Sequence, residues 1–302
     1  MSRRGGQVLE CLYQHRLMST RQLGRLLLPH AKDDSYLRKV LRALNAQQLL
    51  GAVSGPPPGR PQLWYATDTG AALVETGRTV PIRTYRMTET KADGVLQQHT
   101  LAVNDVGIAF VQAARRLGDD CGRLDWTPEV PHRLYDGARF EDALIADAVL
   151  NYVTARAGIR RQLTYFIELD RATMAVHRLA EKLVKYARLY HYVPGVAGPA
   201  QRGPTARNTP PAWAQRYPSF PRILIVLSGA NPDVLARRAA DLRSRTEHMP
   251  HIKGLHGRVH AAVTTLDQLT HDGPTAPIAM PLLGGSTAPI PLFEPVRPEA
   301  VA

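Results

Sequence analysis

Leu37, Val40, Leu41 and Leu44 fall at i, i+3, i+4 and i+7, the spacing of one buried helical face. The opposite face carries Arg38, Lys39, Arg42 and Asn45, with no acidic residue among them. A helix of this kind, predicted over residues 35–49, must lay its leucines on other short elements, and the flanking sequence supplies them. Val8, Leu9, Leu12 and Tyr13 recur at helical spacing. Ser19 with Gln22 three residues later reads as a capping box, starting a second helix through Leu23, Leu26 and Leu27 that stops at Pro29. Downstream, residues 49–53 and 62–66 read as two strands joined by the stiff tip SGPPPGRP, and Thr67 caps a short helix through Val74 in which Gly70 is a local weakness.

The order helix, helix, basic helix, hairpin predicts a winged helix over residues 1–85, with the third helix entering the major groove of duplex DNA. Arg38, Arg42 and Asn45 are the candidates for base edges, because Arg pairs with guanine and Asn with adenine. Lys39 and Arg60 are candidates for phosphates, which position without specifying. Taken alone, these charges could be the solvated side of an ordinary helix. Their setting favours DNA: residues 1–80 hold eleven Lys/Arg against five Asp/Glu, half of the net +12 on about a quarter of the chain.

At 302 residues the chain has room for two domains. It lacks an apolar run of the roughly 20 residues a spanning helix needs, and its start has no signal-peptide core, so a cytoplasmic protein without membrane contact is expected. Cys11 and Cys121 are its only cysteines and form no CxxC or Cys/His cluster, which excludes an encoded disulfide framework or structural zinc site.

From residue 92 onward helices and strands alternate, predicting an α/β domain with a mixed sheet over 92–270. A helix is predicted over 95–117, bearing His99 and Asn104. LDWTPEVPHRL reads as an extended segment, EDALIADAVLNYV as a strand or hairpin holding Asp147, and QLTYFIELD as a buried strand ending in Glu168 and Asp170. A basic amphipathic helix is predicted next, over 173–190, then a strand at RILIVLSG, a helix over 232–245 and a strand over 258–264. Residues 194–221 form a Pro/Gly-rich insertion expected to be a mobile loop, and the Pro-rich tail 271–302 is expected to be loosely ordered.

Strand residues i and i+2 face one side, so Glu168 and Asp170 project together, and with Asp147 from a neighbouring strand they can converge on Mg²⁺ or Mn²⁺. Such an ion near a DNA phosphate polarises it and activates water. No organic cofactor is expected. The plainer reading is a set of salt bridges from Glu168 and Asp170 to Arg171, Arg178 or Lys182 that tie strand to helix.

ADAVL, then FIELDRAT, then KLVKYARLY, behind a winged helix and a helix bearing LQQHTLAVNDV, resemble the actinobacterial replication-relaxation family over about residues 7–265. That resemblance implies a role in replication and relaxation of plasmids and related mobile elements. The second domain also resembles the restriction-endonuclease-like fold, whose site is an Asp on one strand and, on the next, Glu or Asp, one residue, then Lys. By that resemblance Asp147 and Glu168 are the two acids. Ala146 replaces the motif's Pro, and Asp170 stands where the Lys should be. Lys182 on the next helix is the candidate replacement for that Lys, Lys185 the second choice, and His99 a further site candidate beside the alternative of a core histidine.

Two functions stay open: a DNA-binding protein of a plasmid or mobile element that nicks DNA in replication initiation or relaxation, and a non-catalytic winged-helix transcriptional or partition regulator. Either implies double-stranded DNA at a plasmid origin or element site as partner, with a homodimer and other replication or conjugation proteins as further partners. Tyr186, Tyr190 and Tyr192 invite a tyrosine nucleophile. No HxH pattern accompanies them, and Tyr186 lies on the apolar face with Leu179 and Leu183, which assigns it to packing.

Overall fold

A computed structural model describes residues 1–134, 143–156, 158–194, 209–284 and 287–293, in two compact units, Met1–Pro128 and Glu129–Ala302. Among the described residues no helix is long and apolar enough to cross a membrane.

In the first unit, α1 (Arg3–His15) is followed by the two-residue strand β1 (Met18–Ser19) and by α2 (Thr20–Leu27). The capping box is present: Ser19 Oγ accepts from Gln22 N, and Gln22 Oε1 accepts from Ser19 N, both at 3.1 Å. The next helix, α3 (Ser35–Ala46), buries Leu37, Leu41 and Leu44 and leaves Val40 only half-buried. Strands β2 (Leu50–Ser54) and β3 (Gln62–Ala66) pair antiparallel as a hairpin, and β1 adds on the far side of β3 to give a three-stranded sheet in the order β1-β3-β2. That third strand is not legible locally, since only its register with Leu63 and Trp64 makes Met18 and Ser19 a strand.

Thr67 Oγ1 caps α4 (Asp68–Gly77), accepting from Gly70 N at 3.1 Å. Gly70 is more than a weak helix former. A Cβ there would lie 2.1 Å from Leu49 O, so glycine is what lets α4 sit against the start of β2. After the single turn α5 (Glu89–Ala92) comes α6 (Gln97–Leu117), two residues shorter at its start than predicted, with Val95 and Leu96 exposed. A domain boundary near residue 92, as expected from the sequence, would assign α6 to the second unit, yet it packs within the first. Asn104 donates to His15 O and Leu17 O, Gln22 to Leu101 O, and Arg25 pairs with Asp105 at 3.2 Å. Gly107 abuts the Trp126 indole, which a Cβ would overlap at 2.4 Å.

The sheet of the second unit has six strands in the order β4-β5-β6-β7-β8-β9, where β4 is Trp126–Arg133, β5 Ala143–Arg156, β6 Ile159–Asp170, β7 Arg222–Leu227, β8 Ala261–Thr265 and β9 Met280–Pro281. β5 and β6 form an antiparallel hairpin, β6, β7 and β8 run parallel, and β9 returns antiparallel. Helix α7 (Val176–His191) links β6 to β7; α8 (Pro232–His248) and α9 (Pro250–Lys253) link β7 to β8, which runs into α10 (Leu266–His271). Their apolar sides (Leu179, Leu183, Leu235, Leu242, Ile252) meet Phe166, Ile223, Ile225 and Val263 in one core over one face of the sheet.

The tail corrects its expectation of loose order up to Phe293. Residues 280–281 pair with β8, Tyr165 Oη donates to Leu292 O at 3.0 Å on the other face of the sheet, and the Phe293 ring lies 4.5 Å from that of Tyr152. Apolar tail residues, here Ile278, Leu282, Leu292 and Phe293, can be held by a sheet despite surrounding prolines. Of the Pro/Gly-rich insertion, 195–208 lie outside the described residues, as do 285–286 and 294–302 of the tail. The insertion's second half carries a 3₁₀ turn, Ala212–Gln215, and packs Tyr217 and Phe220 against Phe166.

Candidate functional site

Residues 163–170 of β6 are buried without interruption, so Glu168 and Asp170 stand in the core layer and each needs a partner. Asp147 comes from β5, the antiparallel neighbour, and its Oδ2 accepts from Leu169 N at 2.8 Å, which locks it to the strand that carries Glu168. On α7, Leu179 and Leu183 face the sheet, and the same helical turn puts Lys182 and Tyr186, four residues apart, over Glu168. Lys182 Nζ donates to Glu168 Oε2 and lies 3.6 Å from Asp147 Oδ1, while Tyr186 Oη donates to Glu168 Oε1.

Burial governs the electrostatics. Glu168, only 2 % exposed, has its pKa pushed up to about 8, first by desolvation and then by the neighbouring Asp147 charge, with Lys182 and Tyr186 opposing. For Lys182 desolvation acts downward, but the two carboxylates outweigh it and its pKa is raised, so the ammonium persists at neutral pH. Burial and Glu168 raise the Tyr186 phenol well above its ordinary value. That phenol is a donor to Glu168 and is poorly suited to be a nucleophile.

Asp147, Glu168 and Lys182 are thus brought together. Asp170 is held apart from them: its Oδ2 accepts from Arg238 Nε of α8 at 2.8 Å and lies 2.6 Å from Nη2 of the same guanidinium, and its Oδ1 accepts from Ala172 N at 3.1 Å. Lys185 is exposed. His99 is half-buried on α6 of the first unit. Among the described residues no group of three or more His, Cys, Asp or Glu is placed to hold a metal ion, so Asp147 and Glu168 are the paired acids. Sequence reasoning missed Tyr186 as a partner of Glu168, although its spacing from Lys182 signals one shared face. It also missed Arg238, for which no local signal exists.

On the first unit, Arg38, Lys39, Arg42 and Arg60 are exposed. Ser35, Tyr36, Lys39 and Arg42 line an open concavity along α3. Asn45 is exposed too, but its Nδ2 donates to Leu50 O at 2.8 Å, tying α3 to β2.

A family model described as replication-relaxation matches residues 9–200, more than half of the chain and a span that includes α3, Asp147, Glu168 and Lys182. No curated protein and no solved structure matches it.

Proposed function

Because the chain belongs to the replication-relaxation family, we propose that it binds duplex DNA at a plasmid origin or mobile-element site and nicks it there. In this reading the first unit is a winged helix that addresses the DNA through Arg38, Lys39 and Arg42 on α3 and Arg60 at the tip of the β2–β3 hairpin. The second is a restriction-endonuclease-like domain, whose motif lysine has moved from the strand to α7. The observation that carries it is Lys182 reaching both carboxylates, Glu168 of β6 and Asp147 of β5, from the neighbouring helix.

The donor set suits a divalent cation. Two carboxylates already share one cationic group, and Glu168 resists ionisation partly because Asp147 is close, an excess of negative potential that a cation relieves. Mg²⁺ or Mn²⁺ held by Asp147 and Glu168 would supply Lewis acidity toward a phosphate. Lys182, kept as an ammonium, donates charge to a phosphoryl oxygen and a proton to a leaving oxygen; it is no general base. Tyr186 holds Glu168 in one orientation.

Supercoiled plasmid carrying the element's own origin, incubated with protein and Mg²⁺ or Mn²⁺, should be nicked. Asp147→Ala and Glu168→Gln should each slow nicking by at least about 100-fold. Equal nicking by wild type and variants, or none under either metal, would remove the enzymatic reading. The closed pairing of Asp170 with Arg238 and the absence of a third acid beside Asp147 and Glu168 among the described residues favour a second reading, a non-cutting winged-helix regulator. Specific DNA binding without nicking would select it.

A further inference from the structure

The first unit carries a second basic surface apart from α3's outer face. Arg4 and Gln7 of α1, Leu26 and Leu27 at the end of α2, Pro29 and His30 beyond it, Gln112, Arg115 and Arg116 of α6, and the segment 121–123 enclose an open cleft of about 790 Å³. Its lining has four arginines and a histidine and no carboxylate.

These cations are not equivalent. Arg115 is spent on structure, since it donates to Arg25 O at 2.9 Å and to Leu26 O, capping the last carbonyls of α2. Arg123 is paired with Glu10. The nearby Asp125 carboxylate accepts from Gly122 N. Arg4 is bonded only to the neutral amide of Gln7, at 2.7 Å, and neither Arg116 nor His30 has a hydrogen-bond or ion-pair partner among the described residues. Positive charge left uncompensated in a concavity with apolar walls (Leu26, Leu27, Pro29) focuses potential on an anion there. A planar guanidinium presents paired donors that match phosphate oxygens.

We propose that this cleft is a phosphate-binding site, with Arg4 and Arg116 as its anchors and His30 at its edge. The phosphate belongs to the DNA backbone beyond the part read by α3 or to a free phosphorylated ligand. The proposal does not depend on the nuclease reading or on sequence-specific DNA binding, because its first arm uses no DNA.

The full chain is titrated with inorganic pyrophosphate by calorimetry at low ionic strength, beside Arg4→Ala/Arg116→Ala and the α3 control Arg38→Ala/Arg42→Ala. Matched thermal melts establish that all three are folded. Pyrophosphate binding should weaken at least about tenfold in the cleft variant and hold in the control. In the second arm, affinity for duplex DNA is measured against salt. A slope reduced by about 1 to 2 in the cleft variant assigns the phosphate to DNA, whether or not pyrophosphate binds; loss of pyrophosphate binding with an unchanged slope assigns it to a free ligand. An unchanged slope, together with pyrophosphate binding that survives the double substitution or is absent from wild type, overturns the proposal.

Discussion

Glu168 lies in the part of β6, residues 163–170, that has no solvent side, and its protonation is therefore coupled to folding. Its pKa rises from 4.5 to about 8 on folding, so between these values this group binds its proton more tightly in the folded state than in the unfolded one, and its own contribution to stability falls as pH rises across that window. Lys182 acts elsewhere: its raised pKa contributes stability that is complete below 10.5 and is lost only as pH climbs through the higher folded value. The buried His15 and His132, held down to about 3 and about 4 chiefly by desolvation, add stability as pH rises toward 6.5, so the test is the difference between two proteins: the melting temperature of wild type relative to Glu168→Gln should decline from about pH 5 to about pH 8. A constant difference would mean that Glu168 is ionised throughout. Since a divalent cation requires the ionised carboxylate, Mg²⁺ or Mn²⁺ affinity should rise over the same range.

On the proposed reading, the two faces of α3 separate stability from DNA recognition. Leu41 is fully buried, and Leu41→Ala should cost about 2–5 kcal/mol of stability. Arg42 is exposed, and Arg42→Ala should leave stability within about 0.5 kcal/mol while weakening specific DNA binding by about 1–3 kcal/mol. Lys39→Ala should mainly lower the salt slope of binding, by about 1. Asn45 crosses the division: its bond to Leu50 O makes it a link between helix and hairpin, and Asn45→Ala should cost about 1 kcal/mol of stability. Melts and gel-shift titrations on the four variants test this together, and unchanged DNA binding on loss of both Arg42 and Lys39 would mean that another surface meets DNA.

At the scale of the whole molecule, the second unit is completed from far along the chain. Phe293 packs on Tyr152, and Leu292 O accepts from both Tyr165 Oη and Arg222 Nη1. Ending the chain after residue 286 would uncover the Tyr152 ring and orphan two donors. The truncated protein should lose at least about 3 kcal/mol in denaturant melts. A loss below about 0.5 kcal/mol would show that this strap is an ornament on the sheet.

Local signals were enough wherever a physical cause is local. The capping box at Ser19 and Gln22 needs only one helical turn, and β3 was legible over Gln62–Ala66 because a proline-rich tip bounds it. Lys182 was named as the candidate replacement lysine only through resemblance to a known motif, and Tyr186, assigned to packing by its apolar neighbours, was missed as a partner of Glu168 despite its spacing of four from Lys182. Other features depend on residues distant in sequence. Met18–Ser19 becomes a strand because β3 offers an edge, and α6 joins the first unit because Asn104 finds the carbonyls of His15 and Leu17. Asp170, a third acid by strand alternation, is taken instead by Arg238, 68 residues on. Periodicity and capping within a few residues fix most of the helices and strands, Met18–Ser19 apart, and which acids share a strand face. Tertiary structure alone decided which cation meets which carboxylate, because a buried charge takes whichever partner the packing of distant elements brings within reach.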